Sequence, residues 1–167
     1  FDPVAEAAKA LAHMDVRPED NPQLGKSYYR NNVSGAKQIP TEWDIAAGKN
    51  VKWSAKLGSQ TYASPVIANG KVFAGTNNAN GYLKRYPSTF DLGCLQAFDA
   101  ETGKFLWQHS NEKLPIGRVQ DWELLGICSS AYVEGKRLWY VTKRHEVWCL
   151  VTEGFPAGEN NGPFKGD

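Results

Sequence analysis

Four residues of one loop have the types and spacing for a polar binding site. Arg118 and Asp121 lie three apart, Trp122 follows, and Cys128 stands just before the next apolar run. A guanidinium offers forked donors, a carboxylate accepts, and an indole gives a flat apolar cap. The cluster reads as a polar site capped by an aromatic, or as a loop salt bridge beside a packed indole. Lys84-Arg85-Tyr86 with Asn77, Asn78 and Asn80 reads as a loop for an acidic partner or a subunit, or as a solvated insertion. Lys143-Arg144-His145-Glu146 reads as the wet end of a hairpin. His109 has no Cys or Asp nearby in sequence to make it a base, and His13-Met14 reads as surface.

The chain carries no GxSxG, P-loop, HExxH, EF-hand or dinucleotide fingerprint, so no catalytic residue and no metal ligand is nominated. Its three cysteines, Cys94, Cys128 and Cys149, include no CxxC or CxxCH. That spacing excludes covalent haem within this chain and argues against a cysteine zinc site. Cys94 and Cys149 fall at matching places of two similar apolar runs. They read as buried free thiols, with a disulfide between two of the three cysteines as the alternative. A net charge of +1 gives no case for nucleic acid or an anionic membrane, and no apolar run is long enough to span a bilayer.

The elements that must position these residues are repeated hairpins. Pro65–Ala68 and Val72–Thr76 flank Asn69-Gly70, a strong hairpin turn. Leu95–Phe98 and Lys104–Gln108 flank Asp99-Ala100-Glu101-Thr102-Gly103, where Asp99 caps its own turn and Gly103 supplies positive φ. A second copy follows, with strands expected near 127–133, 137–142 and 146–151. Val51–Leu57 alternates with apolar odd positions and predicts a half-exposed strand. Residues 4–14 predict a short helix, with Asp2 as N-cap and Pro3 at its first position. Residues 15–50 are breaker-rich and predict an extended arm lying over other elements, anchored by Trp43. The expected division is 1–50 helix and arm, 51–112 a blade with a long insertion at 77–92, and 113–167 a second, degenerate blade with a loop tail.

Four-stranded units with Gly turns are the sequence form of propeller blades. The expected fold is therefore all-β: an incomplete β-propeller of four-stranded antiparallel blades, about two of them here, behind a short helix and an extended arm. A closed propeller needs at least four, so the remaining blades are expected from more of the same protein or from a partner chain. Phe1 fits a processed chain or a piece of a longer one.

Gly93-Cys94-Leu95-Gln96-Ala97-Phe98-Asp99-Ala100-Glu101-Thr102-Gly103-Lys104-Phe105-Leu106-Trp107 resembles the pyrroloquinoline-quinone (PQQ)-like β-propeller repeat. Longer stretches, such as Ile39-Pro40-Thr41-Glu42-Trp43-Asp44 and Lys84-Arg85-Tyr86-Pro87, are similar to a planctomycete-type branch of it. The resemblance implies that Trp107 packs between blades while Asp99 and Gly103 hold the outer turn. It makes Trp53, Asp99, Thr102, Gly103 and Trp107 the blade-packing set. It also implies an exported, periplasmic or extracytoplasmic propeller of seven or eight blades. Relatives divide between protein-binding scaffolds and quinoprotein alcohol dehydrogenases that hold PQQ and calcium, so two functions are expected: a scaffold module binding other proteins, or part of a PQQ/Ca-dependent oxidoreductase. In the second, Arg118, Asp121, Trp122 and Cys128 are the cofactor-binding candidates. The dehydrogenases carry an adjacent Cys-Cys pair, whereas Cys128 is followed here by Ser129. In the second repeat Thr152-Glu153-Gly154 stands where the full Asp-x-x-Thr-Gly turn would be, and no Trp closes it.

Overall fold

The computed structural model describes residues 1–12, 17–27, 30–115 and 122–154, without the side chains of residues 10 and 11. Helix α1 spans Pro3–Ala12. Asp2 Oδ1 accepts from the Val4 and Ala5 amides at 2.9 and 3.2 Å, so Asp2 caps the donors that a first turn leaves free. His13 and Met14 lie outside the described residues.

The body is two antiparallel sheets. Strands β1 (Val66–Ala68), β2 (Lys71–Asn77), β3 (Leu92–Asp99) and β4 (Phe105–Glu112) form one in sequential order. Strands β5 (Tyr132–Glu134), β6 (Arg137–Val141) and β7 (Val147–Val151) form the other. Asn69 and Gly70 turn β1 into β2 with φ of 54° and 71°, as a primed two-residue turn requires. At the β3–β4 turn Asp99 Oδ1 accepts from the Thr102 hydroxyl at 2.7 Å and the Thr102 amide at 2.8 Å. The hydroxyl bond is the main reason that its carboxyl is held below the usual carboxylate range. This is the all-β, blade-like architecture expected from the hairpin repeat.

Both sheets share one core. Phe73, Leu95 and Ala97 meet Val133, Leu138 and Tyr140, with Ile127 of the connecting segment between them. The seam carries a tryptophan lock. Trp107 of β4 donates its indole N–H to the Thr152 carbonyl at 3.2 Å, and its ring lies flat on Gly154. A Cβ on Gly154 would stand 2.6 Å from that ring, and its φ is +79°. The same lock occurs once more. Trp53 donates to the Ala100 carbonyl at 3.0 Å and lies on Gly103, φ +73°. Thr152-Glu153-Gly154, one residue shorter than Ala100–Gly103, still supplies the glycine and the carbonyl.

Three expectations are corrected. Residues 51–57 keep their alternation, odd positions half-buried and even ones exposed, but pair with no strand among the described residues. An extended segment forms a ladder only where a neighbouring strand offers its edge. Trp43 is 69 % exposed rather than an anchor. Residues 30–50 are exposed throughout because they satisfy themselves locally: Asp44 and Lys49 exchange backbone bonds of 3.0 and 2.9 Å. The arm contacts the sheets earlier, where Asn21 exchanges bonds with Ile67 of β1 and the Pro22 carbonyl accepts from Val133 of β5.

The third correction concerns the cysteines. Aligning the first turns (Ala68↔Lys71 with Glu134↔Arg137) and their partners (Lys71↔Asp99 with Arg137↔Val151) makes Cys149 equivalent to Ala97 and Cys94 equivalent to Glu146. The two cysteines are three positions apart in register. Cys94 is buried and its thiol is pushed up to about 12 by that burial, whereas Cys128 and Cys149 are exposed; all three are free.

Candidate functional site

Where β2 ends and β3 begins, residues 78–91 leave the sheet, and β4 ends beside them. This insertion is built around buried asparagines. Asn78 Nδ2 donates to the carbonyls of Tyr86 (3.0 Å), Pro87 (3.0 Å) and Phe90 (3.3 Å). Its Oδ1 accepts from Gln108 Nε2 at 3.1 Å. Gln108 Oε1 accepts from Gln96 at 2.7 Å, and Gln96 Oε1 accepts from Asn80 at 3.0 Å. A side-chain amide chain thus ties the insertion to β3 and β4, satisfying loop carbonyls that burial would otherwise make costly. The Asn77 amide bonds Ser59 Oγ at 2.9 Å and the Leu124 carbonyl. These asparagines face inward and shape the loop. Replacing Asn78 with Ala is expected to cost about 2 kcal/mol, since it orphans three loop carbonyls. Urea denaturation measures it, and an unchanged midpoint contradicts this role.

Between the insertion and the end of β4 opens a cavity of about 680 Å³. Tyr86, Phe90 and Leu92 give it apolar walls, while Asp91, Glu112 and Lys113 charge its rim. Lys113 lies 3.5 Å from Asp91 and donates to the Leu125 carbonyl at 2.9 Å and to the Trp122 carbonyl. Asp91 Oδ2 accepts from the Leu124 amide at 2.9 Å, and its Oδ1 is buried without a partner among the described residues. Beside the cavity the Arg85 guanidinium sits 5.1 Å above the Tyr86 ring. The segment before β5 is fixed against the same end of β2. Ile127 donates to the Thr76 carbonyl at 3.1 Å, and any Cβ on Gly126 would run into the Thr76–Asn77 backbone.

The polar cluster proposed from the sequence is only partly visible. Arg118 and Asp121 lie outside the described residues. Trp122 is 66 % exposed beside the cavity rim, and Cys128 is exposed next to buried Ile127 in sequence. The cavity itself was not read from the sequence, although Tyr86, one of its walls, stood in the Lys84-Arg85-Tyr86 set. The signal available in the sequence was the set of apolar residues, Tyr82, Leu83, Tyr86 and Phe90, within an otherwise polar insertion.

The family model described as outer membrane protein assembly factor BamB matches residues 33–138, more than half of the chain. The chain belongs to that family. No curated protein matches it. The matched stretch of this BamB-family chain takes in the four-stranded sheet, the insertion and both walls of the cavity, together with Trp53, Asp99, Thr102, Gly103 and Trp107.

Some PQQ-like proteins use a quinone and calcium, and the described residues of this BamB-family chain do not fit that pair. No group of three or more His, Cys, Asp or Glu among them can hold a metal. Cys128-Ser129 supplies one thiol where a vicinal pair is needed. His109, the one half-buried histidine among the described residues, is spent on the seam. Its Nδ1 is 2.6 Å from the Tyr140 hydroxyl, which also accepts from Asn111 at 2.6 Å. With Asn111 donating to it, the tyrosine hydroxyl uses both its acceptor and its donor when His109 is neutral with its proton on Nε2. Burial lowers its pKa to about 4. Among the described residues no helix is long and apolar enough to cross a membrane.

Proposed function

We propose that this BamB-family chain is a non-catalytic, protein-binding module of an exported β-propeller, nearer the planctomycete-type branch, working outside the cytoplasm in a larger assembly. The observation that carries this is the cavity between the insertion and β4. Its volume is that of a site for a small ligand or a few side chains, and its apolar walls with a charged rim suit a protruding segment of a partner. The Asn78 amide chain holds the walls before anything binds, which lowers the ordering cost of association. The family's description, an assembly factor, agrees with such a role. The remaining blades, from the same protein or from a partner chain, complete the ring. Trp122, exposed beside the cavity, belongs on this reading to the contact face, with Arg118, Asp121 and Cys128 proposed as binding residues beside it in sequence.

The competing reading is a quinoprotein oxidoreductase. Absorbance of the purified protein with added PQQ and calcium separates the two. No quinone band and no dye-linked alcohol oxidation are expected. A saturable band with turnover overturns the binding-module reading.

A further inference from the structure

A second cavity, of about 510 Å³, opens between the arm and the start of β1. Asn21, Leu24, Arg30 and Asn32 of the arm line it, with Ser64 and Pro65 ahead of β1. It shares no lining residue with the cavity beside β4. Its polar groups differ from those of the insertion, where Asn77 and Asn78 spend their amides on the chain itself. Here the Arg30 guanidinium, the Asn32 amide and the Ser64 hydroxyl have no partner among the described residues. Asn21 Oδ1 is buried and equally without one. Nearby carboxylates of the arm are taken: Arg17 holds Glu19 and Asp20 at 3.5 and 2.7 Å, and Lys49 holds Glu42 at 2.7 Å. The backbone is shaped to present these groups. Lys26 and Arg30 hold φ of 67° and 51°, in the left-handed region that such residues seldom enter, and Gly25 and Asn32 hold 83° and 53°. The Arg30 amide donates to the Ser27 carbonyl at 2.8 Å and the Asn32 amide to the Gly25 carbonyl at 3.1 Å, which keeps the loop closed. Backbone strain held in this way gathers at binding sites.

We propose that this cavity binds a sugar acid, with the carboxylate of an acidic saccharide on Arg30 and its hydroxyls against Asn21, Asn32 and Ser64. A guanidinium takes a planar carboxylate through two parallel bonds. Amide and hydroxyl side chains both donate and accept, as sugar hydroxyls do, and a sugar hydroxyl supplies the donor that Asn21 Oδ1 lacks. Leu24 and Pro65 offer aliphatic surface to the C–H face of a ring. The volume suits about one or two sugar rings. A peptide suits the place less well. Ile67 of β1 already exchanges both backbone bonds with Asn21, so its edge is not open to a peptide strand. The proposal rests on nothing assigned to the cavity beside β4.

Titration of the isotope-labelled full chain with digalacturonate, followed by amide NMR shifts, tests this. Saturable shifts centred on Arg30, Asn32 and Ser64 are expected. Uncharged digalactose, and N-acetylalanine as a carboxylate with an amide but no sugar ring, should each bind about tenfold weaker or worse. Arg30→Gln changes an exposed side chain and leaves the fold intact. It should weaken digalacturonate by about tenfold or more, as loss of a charge-assisted pair does. No saturable shift with digalacturonate overturns the proposal. An Arg30→Gln variant of parental affinity, or equal binding of either control ligand, overturns it as well.

Discussion

Trp107→Ala is expected to cost about 4 kcal/mol, the range for truncating a large aromatic in a packed site. The indole spans the seam: its ring meets Phe73 at 5.8 Å and lies on Gly154, and its N–H satisfies the Thr152 carbonyl. Truncation leaves a void against a glycine that has no side chain to fill it, and it orphans that carbonyl. Trp107→Phe keeps most of the packing and should cost about 1–2 kcal/mol. Since domains of this size are stable by only about 5–15 kcal/mol, the alanine variant should lose the β5–β7 sheet first. Guanidinium denaturation with hydrogen exchange resolved by strand measures both effects. An alanine variant within about 1 kcal/mol of the parent would contradict the lock.

The second large effect is one of pH. His109 has a folded-state pKa of about 4 against an ordinary 6.5, lowered by burial beneath Trp148 and beside Tyr140. Between those values the unfolded chain binds a proton that the folded chain does not. Stability is therefore full above pH 6.5 and falls as the pH drops from 6.5 to 4, by about 3 kcal/mol in all. Protonation would also put a donor on Nδ1, opposite the Tyr140 hydroxyl that now donates to it. Asn111, Tyr140 and Trp148, which face the ring, are uncharged, and the nearby Glu146 carboxylate accepts from the Trp148 indole at 3.1 Å rather than from the imidazole. His109→Gln keeps an acceptor for Tyr140 and no titration. The parent's loss of stability over this window should exceed the variant's by about 3 kcal/mol, and parallel pH profiles would refute the assignment.

How much of this was legible beforehand depended on range. Asn69-Gly70 and Asp99–Gly103 act through neighbouring residues, and both turns form as read. The stretch 51–57 shows where local pattern stops. Its alternation was correctly seen, but a strand also needs a neighbour, which no local pattern reveals. The Cys94–Cys149 match fails because it compares two apolar runs rather than their turns, and register slips freely when only apolar residues are compared. The cavity is not legible in the sequence because its walls come from the insertion and the end of β4, which meet through long-range contacts such as the Asn78–Gln108–Gln96 chain and the Lys113–Asp91 pair. The Asn-rich start of the insertion looked solvated, since amides bonding one another read like amides bonding water.

The central claim is that the face holding this cavity is the surface on which other proteins dock. Site-specific photo-cross-linking in the native host tests it most directly, with the probe at Glu112 on the rim and, as a control, at Lys136 on the β5–β6 turn. A single protein adduct at 112, absent at 136 and lost on Phe90→Asp in an otherwise folded chain, is the predicted result. No adduct at 112, or the same adduct from both positions, would contradict it.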